Sequence, residues 1–498
     1  MHKMERASLG KTELKAPDSF VEVFLVRYSE IGLKGQKARR RMEAKLKANI
    51  LEVAERRGVT ANVSIGNGRL FVHEVSDRQL MIEVLSRTMG IKSFSFAYSR
   101  KCRDVKDISE SAVAIYSHLL RGRKFAVRSR RAGGQHFDSR DINIAVGNAL
   151  QPYSSGVDLD NPDFTVEIEV RNDQAYYILE EFNGPGGLPI GTEGRLTALV
   201  SGGIDSPVAA WMMLKRGCPV DFVFVSLSHP FDTLEFLRSV NPLLEKWVSG
   251  YTPRINIVDG GRIVEAMIVD GRSRYPNVTY KRILYTIAER IAGLSNSCGI
   301  VTGESIGQVS SQTPENLRAI QSGISIPVHR PLIGFDKDEI TLKAREIGTF
   351  PETSLGEFCE LFATNITLNA PSEMIDSDME AIDFIDDLIS RRLVLKPSEI
   401  PAFTHSIMKS VYSDFKDDGE STIVVDLRSQ DKYDEWHYPN ARRVGLSKLR
   451  EYLSACDKGK TVLFYCQKGL QSAYAASMAT KMGYRAIFTT ADKLRNRL

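Results

Sequence analysis

The sequence predicts a multidomain chain built from α/β and α+β units. Three observations carry this prediction. At 498 residues the chain is too long for one core, since a domain takes about 150 residues. A stretch rich in glycine and proline, "NGPGGLPIGTEGR", interrupts it and is typical of a linker. Beyond that stretch, continuous apolar strands alternate with helical segments, which predicts a parallel sheet buried on both faces.

The elements follow one another in five predicted segments. Residues 21–100 show a strand, a basic amphipathic helix, a hairpin, a second helix and a strand, which predict a small α+β unit. Residues 101–182 alternate helix and strand twice and end in a strand pair, a second α+β unit. Residues 183–365 form the linker and the parallel α/β domain. Residues 366–420 are acidic and helical and are interpreted as a connector, and residues 421–498 as a small α/β domain.

Composition indicates a soluble, cytoplasmic protein. Hydrophobic residues make up 42% and charged residues 26%, and no apolar run reaches the roughly 18 residues of a membrane span. The first residues lack the apolar segment of a signal peptide. The six cysteines are far apart and form no CxxC pair, so they indicate neither a disulfide framework nor a zinc site.

The stretch "LVSGGIDSPVAA" predicts a phosphate-binding loop between a strand and a helix. Glycines let the backbone approach phosphate oxygens, and a helix N-terminus offers unpaired N–H groups to an anion. Ligands of open α/β sheets bind at the carboxyl ends of strands, which is where this loop lies. The alternative is a plain tight turn in which Asp205 and Ser206 cap the helix, and the two interpretations are compatible. No GxxxxGK[ST] motif is present.

Two further features indicate chemistry. Cys466 ends a predicted strand just before a helix, where loop N–H groups and the helix dipole favour a thiolate over an inert buried thiol. Basic residues are concentrated in "KGQKARRR" and "RGRKFAVRSRR", both in the first third of the chain. A charge run is usually a solvated face, but two such runs in one region fit a phosphate-binding surface.

Longer motifs give the sequence a resemblance to a known family. "VTGESIGQVSSQTPENL", "RPLIGFDKDEI" and the loop with its neighbours resemble the tRNA 4-thiouridine synthetases, sulfurtransferases of the PP-loop class also tied to thiamine biosynthesis. "YSEIGLKGQKARRRME" resembles that family's ferredoxin-like domain, and "FAVRSRRAGGQHFDSRDINIAVGNAL" its THUMP domain, a tRNA-binding module. "FYCQKGLQS" resembles a rhodanese loop. The resemblance implies ferredoxin-like and THUMP α+β domains, a PP-loop parallel α/β domain and a C-terminal rhodanese-like α/β domain.

The resemblance also implies site residues. The positions that match its nucleotide-binding residues are Leu199, Val200, Ser201, Gly202, Gly203, Asp205, Ser206, Phe224, Val225, Lys281, Gly303 and Gln312. Cys466 matches the persulfide-carrying cysteine, and Cys359 matches a second cysteine that closes a redox-active disulfide with it. Gln467 and Gln471 occupy positions where rhodanese loops commonly have arginines. This difference argues more against a reaction with thiosulfate than against a persulfide on the loop cysteine.

The implied function is ATP-dependent conversion of a tRNA uridine (position 8) to 4-thiouridine. Mg²⁺ is expected to accompany ATP, and a cysteine desulfurase is expected to donate the persulfide. A thiamine sulfur-carrier protein as a further partner and a homodimer are also expected. The expected tRNA contacts are Lys34, Arg39, Arg40, Lys124, Arg128, Arg130 and Arg131. The alternatives are another adenylating PP-loop enzyme, such as a tRNA 2-thiolase or an amidotransferase, and a non-catalytic tRNA-binding protein.

Overall fold

A computed structural model describes most of the chain. The described residues are 19–66, 68–134, 136–228, 231–350, 366–411, 422–467 and 469–495. The chain divides into two compact units. Unit 1 holds residues up to 192 together with 215–217, and unit 2 holds the rest.

Unit 1 is organised around one eight-stranded sheet in the order β2-β3-β1-β4-β8-β7-β5-β6. Its strands are β1 (Val21–Arg27), β2 (Asn62–Gly66), β3 (Arg69–His73), β4 (Ser93–Lys101), β5 (Lys124–Ala132), β6 (Gly156–Val157), β7 (Phe164–Arg171) and β8 (Gln174–Asn183). The two α+β units predicted from sequence therefore share a sheet, because β4 of the first pairs antiparallel with β8 of the second.

Four helices of unit 1 bury their apolar sides on the sheet. They are α1 (Gln36–Arg56), α2 (Arg78–Arg87), α3 (Val105–Tyr116) and α4 (Ser139–Leu150). Met42, Leu46 and Ile50 recur along one side of α1, and all three are buried in the core of this unit. An aspartate N-cap starts each of α2, α3 and α4 and accepts backbone N–H bonds.

The first sheet of unit 2 is parallel except at one edge. Its order is β13-β12-β9-β10-β11-β14. The strands are β9 (Leu196–Leu199), β10 (Val220–Ser226), β11 (Ile255–Asp259), β12 (Ile300–Val301), β13 (Val328–His329) and β14 (Leu393–Leu395). Every residue of β10 is buried, in keeping with a central parallel strand covered on both faces. Strand β14 comes from the segment expected to be a connector and pairs antiparallel with β11.

Helices cover this sheet and continue through the same segment. They are α5 (Asp205–Lys215), α6 (Phe231–Lys246), α7 (Gly261–Val264), α8 (Pro276–Leu294), α9 (Pro314–Gln321), α10 (Lys337–Ile347), α11 (Ser372–Glu380), α12 (Ile385–Ser390) and α13 (Ile400–Val411). A π-helical turn, Glu265–Val269, follows α7 directly. Ile375 of α11 and Ile385 of α12 are buried, so the segment after residue 366 packs as part of unit 2.

The last part of unit 2 is a small parallel sheet of its own, in the order β16-β15-β17-β18. Its strands are β15 (Thr422–Asp426), β16 (Arg442–Arg443), β17 (Thr461–Cys466) and β18 (Arg485–Thr490), and its helices are α14 (Gln430–Glu435), α15 (Leu446–Ser454), α16 (Leu470–Lys481) and α17 (Ala491–Arg495). Among the described residues, no helix combines the length and the apolar character needed to span a bilayer.

Candidate functional site

The phosphate loop lies at the switch point of the first sheet of unit 2. It connects β9 to α5, and β9 has β10 on one side and β12 on the other. The chain progresses in opposite directions from β9, so a crevice opens beyond the carboxyl ends of β9 and β12. The loop predicted from "SGGIDS" therefore occupies the place where open α/β sheets bind ligands.

Hydrogen bonds within the loop hold it in shape. The N–H of Ser201 donates to Oγ of Ser206 at 2.9 Å, and the N–H of Gly203 donates to Oγ of Ser201 at 3.3 Å. From α6, Oγ of Ser239 donates to the carbonyl of Ser201 at 3.2 Å. A Cβ on Gly202 would stand 3.2 Å from Cβ of Glu235, so α6 leaves little room for a side chain there. Contacts with α5 and α6 thus fix the conformation of the loop.

Asp205, the first residue of α5, binds two side chains from distant parts of the chain. Nζ of Lys337, which begins α10, lies 2.8 Å and 3.1 Å from its two carboxylate oxygens. Nε2 of Gln308 donates to the same carboxylate at 3.1 Å. Sequence reasoning missed Lys337 and Gln308, which are 132 and 103 positions away, although both lie in motifs that had been singled out. The structure thus places a cation at the phosphate loop.

Gly303 closes the other side of the crevice. It follows β12, and a Cβ built there would stand 2.7 Å from the backbone nitrogen of Ser206 and 2.9 Å from the carbonyl carbon of Asp205. Only glycine lets the backbone pack this closely against the start of α5. Two residues later, the N–H of Ser305 donates to Oε1 of Gln312 at 3.2 Å. This hydrogen bond joins Gln312 to the segment that begins with Gly303, so it connects two of the nucleotide-binding candidates.

A buried polar network anchors that segment from behind. Glu304 is 3% exposed and accepts hydrogen bonds from the hydroxyls of Tyr285, at 2.7 Å, and Thr302. Nη2 of Arg330 donates to the Tyr285 hydroxyl at 3.2 Å, and its Nε lies 3.4 Å from Glu304. Burial, and next the charge of Glu304, raise the pKa of Tyr285 well above its ordinary value, so Tyr285 stays a donor. Sequence reasoning did not single out these residues.

We expect Gly303→Ala to raise the KM for ATP by about tenfold or more, because its methyl group would collide with backbone atoms of α5. Steady-state kinetics of pyrophosphate release would measure the effect. Gly293→Ala is the matched control, since no described heavy atom lies within 4 Å of the Cβ it would add. An unchanged KM for Gly303→Ala would contradict the close packing at α5.

The remaining nucleotide candidates lie on neighbouring elements. Leu199 ends β9, and Val200 is buried behind it. The ring of Phe224 stacks on Phe236 of α6, with centroids 4.5 Å apart. Val225 lies in the apolar core, so a ligand would meet residues 224–225 through their backbone. Lys281 lies on α8, four residues before Tyr285 and hence on the same side of that helix.

Cys466 lies at the end of β17, before the N-terminus of α16. Its sulfur accepts a hydrogen bond from the N–H of Gly469 at 3.1 Å and lies 3.4 Å from Oγ of Ser472. Gly469 adopts φ = 94°, a left-handed conformation that turns the loop into the helix. The thiol is free and 3% exposed. The sulfur therefore lies beside a helix N-terminus with a backbone N–H directed at it.

The partner expected for Cys466 cannot be placed, because Cys359 lies outside the described residues. Beside the cysteine loop, Arg428 forms a buried ion pair with Asp426, with Nη2 and Oδ2 2.7 Å apart. Hydrogen bonding to Asp426 raises the pKa of this guanidinium. Arg428 also lines a cavity next to Gln467, together with Trp436 and Arg495. Guanidinium groups are therefore near this loop although the loop has glutamines where arginines are common.

The basic residues of unit 1 differ in their surroundings. Arg39 donates to Glu43 and to the Tyr28 hydroxyl, each at 2.9 Å, so it is held inside an ion-pair cluster. Lys34 and Arg40 are exposed.

On β5, Lys124, Arg128 and Arg130 lie on the face of the strand opposite to the core residues Phe125 and Val127. Arg128 and Arg130 are two residues apart, so they share one face, and both are exposed. Phe125 and Val127, on the other face, are buried in the core of unit 1. Lys124 pairs with Asp158 at 3.7 Å, and Arg131 donates to the carbonyl of Gly133. Exposed cations on one face of a strand are suited to contacts with phosphates.

Family profiles match most of the chain. A thiamine biosynthesis protein (ThiI) profile matches residues 191–384, and its ferredoxin-like domain matches residues 23–95. A THUMP domain matches residues 102–180 and a rhodanese-like domain residues 409–491. These matches confirm the predicted fold class and the order of the four modules.

Whole-length relatives and solved structures agree with the profiles. The tRNA sulfurtransferase of Thermoplasma acidophilum is 42% identical over 96% of this chain and 97% of its own length. That of Pyrobaculum aerophilum is 35% identical over 94% of this chain and 96% of its own. A crystal structure of a 4-thiouridine synthetase–RNA complex with bound ATP is similar with a TM-score of 0.66 and 31% identity, covering 76% of this chain and 99% of that one.

Proposed function

We propose that this chain, which belongs to the tRNA sulfurtransferase family, uses ATP to activate a tRNA uridine and replaces its 4-oxygen with sulfur. The observation that carries the proposal is the phosphate loop at the switch point of the sheet, with Lys337 held on Asp205 at its mouth. A similar protein has been solved with RNA and ATP bound, which supports both ligands.

In the first step, O4 of the uridine attacks the α-phosphorus of ATP and pyrophosphate leaves. The loop N–H groups and the N-terminus of α5 would bind phosphate oxygens. Lys337 would offset the negative charge that develops on the leaving pyrophosphate. Mg²⁺ would accompany the phosphates, and Asp205 is the carboxylate that the loop offers to it. The product is an O4-adenylated uridine, in which AMP has become a good leaving group.

In the second step, the outer sulfur of a persulfide on Cys466 attacks C4 and AMP departs. The thiolate of Cys359 then attacks Sγ of Cys466, which breaks the sulfur–sulfur bond, leaves 4-thiouridine on the tRNA and closes a Cys359–Cys466 disulfide. A dithiol reductant must reopen that disulfide before the next turnover. A cysteine desulfurase is the proposed source of the persulfide, and transfer to a thiamine sulfur carrier stays a prediction.

The proposal is tested by mixing the purified chain with ATP, Mg²⁺, unmodified tRNA, cysteine, a cysteine desulfurase and a dithiol. We expect pyrophosphate release that depends on tRNA, and 4-thiouridine in nucleosides analysed by mass spectrometry. Pyrophosphate without thiolated nucleoside would favour a different adenylating enzyme. Binding of tRNA without any pyrophosphate would favour the non-catalytic alternative.

The tRNA surface gives a separate prediction. We expect Arg128→Glu with Arg130→Glu to weaken tRNA binding about tenfold or more and to reduce the salt dependence of binding by about one unit of slope per lost phosphate contact. Fluorescence titration of labelled tRNA at several salt concentrations would measure both, and ATP affinity should stay unchanged.

The control for this double variant is Lys106→Glu. Lys106 is an exposed lysine on α3, a helix on the other face of the sheet from Arg128 and Arg130. If the control weakened tRNA binding as strongly as the double variant, net charge rather than this face would govern binding.

A further inference from the structure

The rhodanese-like part of unit 2 packs directly on the phosphate-loop part. Helix α15 lies against the π-helical turn that follows α7. One continuous apolar cluster joins Val258 and Met267 of the first part to Leu449 and Tyr474 of the second. Most of these side chains are fully buried, so this contact is an apolar interface within unit 2.

Two ion pairs flank the apolar contact. Nζ of Lys481, the last residue of α16, lies 3.0 Å from Oδ2 of Asp259, the last residue of β11. Nη2 of Arg450, on α15, lies 2.5 Å from Oε1 of Glu265, which begins the π-helical turn. The four side chains are between 37% and 60% exposed, so the pairs form the rim of the interface. Exposed pairs contribute little to stability but fix orientation through charge complementarity.

Local backbone features favour the same contact. A Cβ on Gly261 would stand 3.4 Å from Nζ of Lys481, so glycine leaves the lysine room to reach Asp259. The N–H of Gly261 donates to Oδ1 of Asp259 at 3.0 Å and holds the carboxylate in place. The π-helical turn is a rare conformation that often marks functional positions, and here it carries Glu265 and Met267 into the interface.

The interface lies at the edge of the sheet where the proposed chemistry occurs. Asp259 is at the carboxyl end of β11, and the phosphate loop is at the carboxyl end of β9. These strands are two positions apart in the sheet, which corresponds to about 10 Å. Helix α16 runs from the Cys466 loop to Lys481 over 12 residues, about 18 Å. The docking contact at Lys481 and the sulfur-bearing loop are therefore the two ends of one helix.

We propose that this face is an intramolecular docking surface, which holds the rhodanese-like domain at the reaction edge so that each chain delivers sulfur from its own Cys466 to its own adenylated uridine. The ion pairs Asp259–Lys481 and Glu265–Arg450 set the orientation of the docked domain. The inference rests on the proposed function and adds to it the path of the sulfur. Delivery to another copy of the chain is the alternative that the experiments must exclude.

The first experiment mixes two inactive full-length variants. Cys466→Ala lacks the sulfur carrier, and Lys337→Met lacks the proposed activating cation. Delivery within one chain predicts that the mixture makes less than about a tenth of the 4-thiouridine made by the wild type at equal total protein, because neither chain holds both parts. Restoration of about a quarter or more of wild-type product would overturn the proposal. An inactive wild type would instead count against the proposed function.

The second experiment reverses charges at the rim. We expect Arg450→Glu with Lys481→Glu to slow single-turnover sulfur transfer from preloaded Cys466 by about tenfold while tRNA-dependent pyrophosphate release stays at the wild-type rate. Adding Asp259→Lys and Glu265→Lys should restore most of the transfer rate by rebuilding both pairs with opposite polarity. The control is Lys448→Glu, an exposed lysine on α15. Unchanged transfer in the double variant, or no recovery in the quadruple one, would overturn the docking role.

Discussion

Cys466→Ala is expected to abolish 4-thiouridine formation while tRNA-dependent pyrophosphate release continues. The thiol is the atom that would carry the transferred sulfur, and alanine can form no persulfide. The variant should fold normally, because the change removes one buried sulfur from a loop whose other contacts, such as those of Ser472 with the carbonyls of Gly469 and Thr489, remain. Mass spectrometry of tRNA nucleosides and a pyrophosphate assay on the same reaction would measure the two outcomes.

Cys456→Ala is the matched control for this variant. Cys456 belongs to the same domain and is half-buried, and its sulfur donates to the carbonyl of Tyr452. We expect its thiolation activity to equal that of the wild type. Full thiolation by Cys466→Ala, with a cysteine desulfurase as the sulfur source, would place the sulfur carrier elsewhere in the chain.

Local patterns predicted the elements well, and the reason is physical. Apolar residues with a period of two or of three to four dictate which face of a strand or helix is buried, and glycine with asparagine marks a tight turn. The hairpin of β2 and β3 and the loop between β9 and α5 follow from such patterns. The continuously apolar strands of unit 2 likewise predicted its parallel sheet.

Pairings between distant segments could not be predicted in this way. Strand β14 joins β11 across more than a hundred positions, and β4 joins β8 to fuse two predicted units into one sheet. Apolar periodicity indicates which side chains are buried. It does not indicate which other strand a segment will pair with. The acidic composition of residues 366–420 indicated a connector, but its apolar residues Ile375 and Ile385 are buried in unit 2.

At the candidate site, too, local features were predicted and contacts between distant residues were not. The phosphate loop was predicted from residues near a strand end, since strand ends in a parallel sheet share an edge, whereas Gly303 was implied by the family resemblance. Asp205 was predicted to lie at the nucleotide site, with a helix cap as a compatible interpretation, but its hydrogen bonds to Lys337 and Gln308 were not predicted. The hydrogen bonds and ion pair around Glu304 could not be predicted for a similar reason, because Tyr285 and Arg330 come from other parts of the chain.

Lys337→Met is expected to lower the rate of tRNA-dependent pyrophosphate release by about a hundredfold or more, the usual cost of removing one preorganised group that stabilises transition-state charge. Nζ of Lys337 lies within 3.1 Å of both oxygens of Asp205, so methionine would remove the side-chain cation that is paired with this carboxylate beside the triphosphate. Folding should be little affected, because the lysine is 47% exposed and exposed ion pairs contribute about 1 kcal/mol or less. The melting temperature and the pyrophosphate rate, measured on one preparation, separate the two effects.

Two further variants make this prediction specific to position. Lys337→Arg keeps the charge and should recover part of the rate, whereas Lys343→Met removes a lysine of the same helix that pairs with Glu346 and should leave the rate unchanged. If Lys337→Met and Lys343→Met lost activity equally, the loss would reflect the general positive charge of α10. A wild-type rate in Lys337→Met would leave Asp205 without the catalytic partner inferred for it. The effect on the rate therefore decides whether the contact between Asp205 and Lys337 takes part in the reaction or is only a surface ion pair.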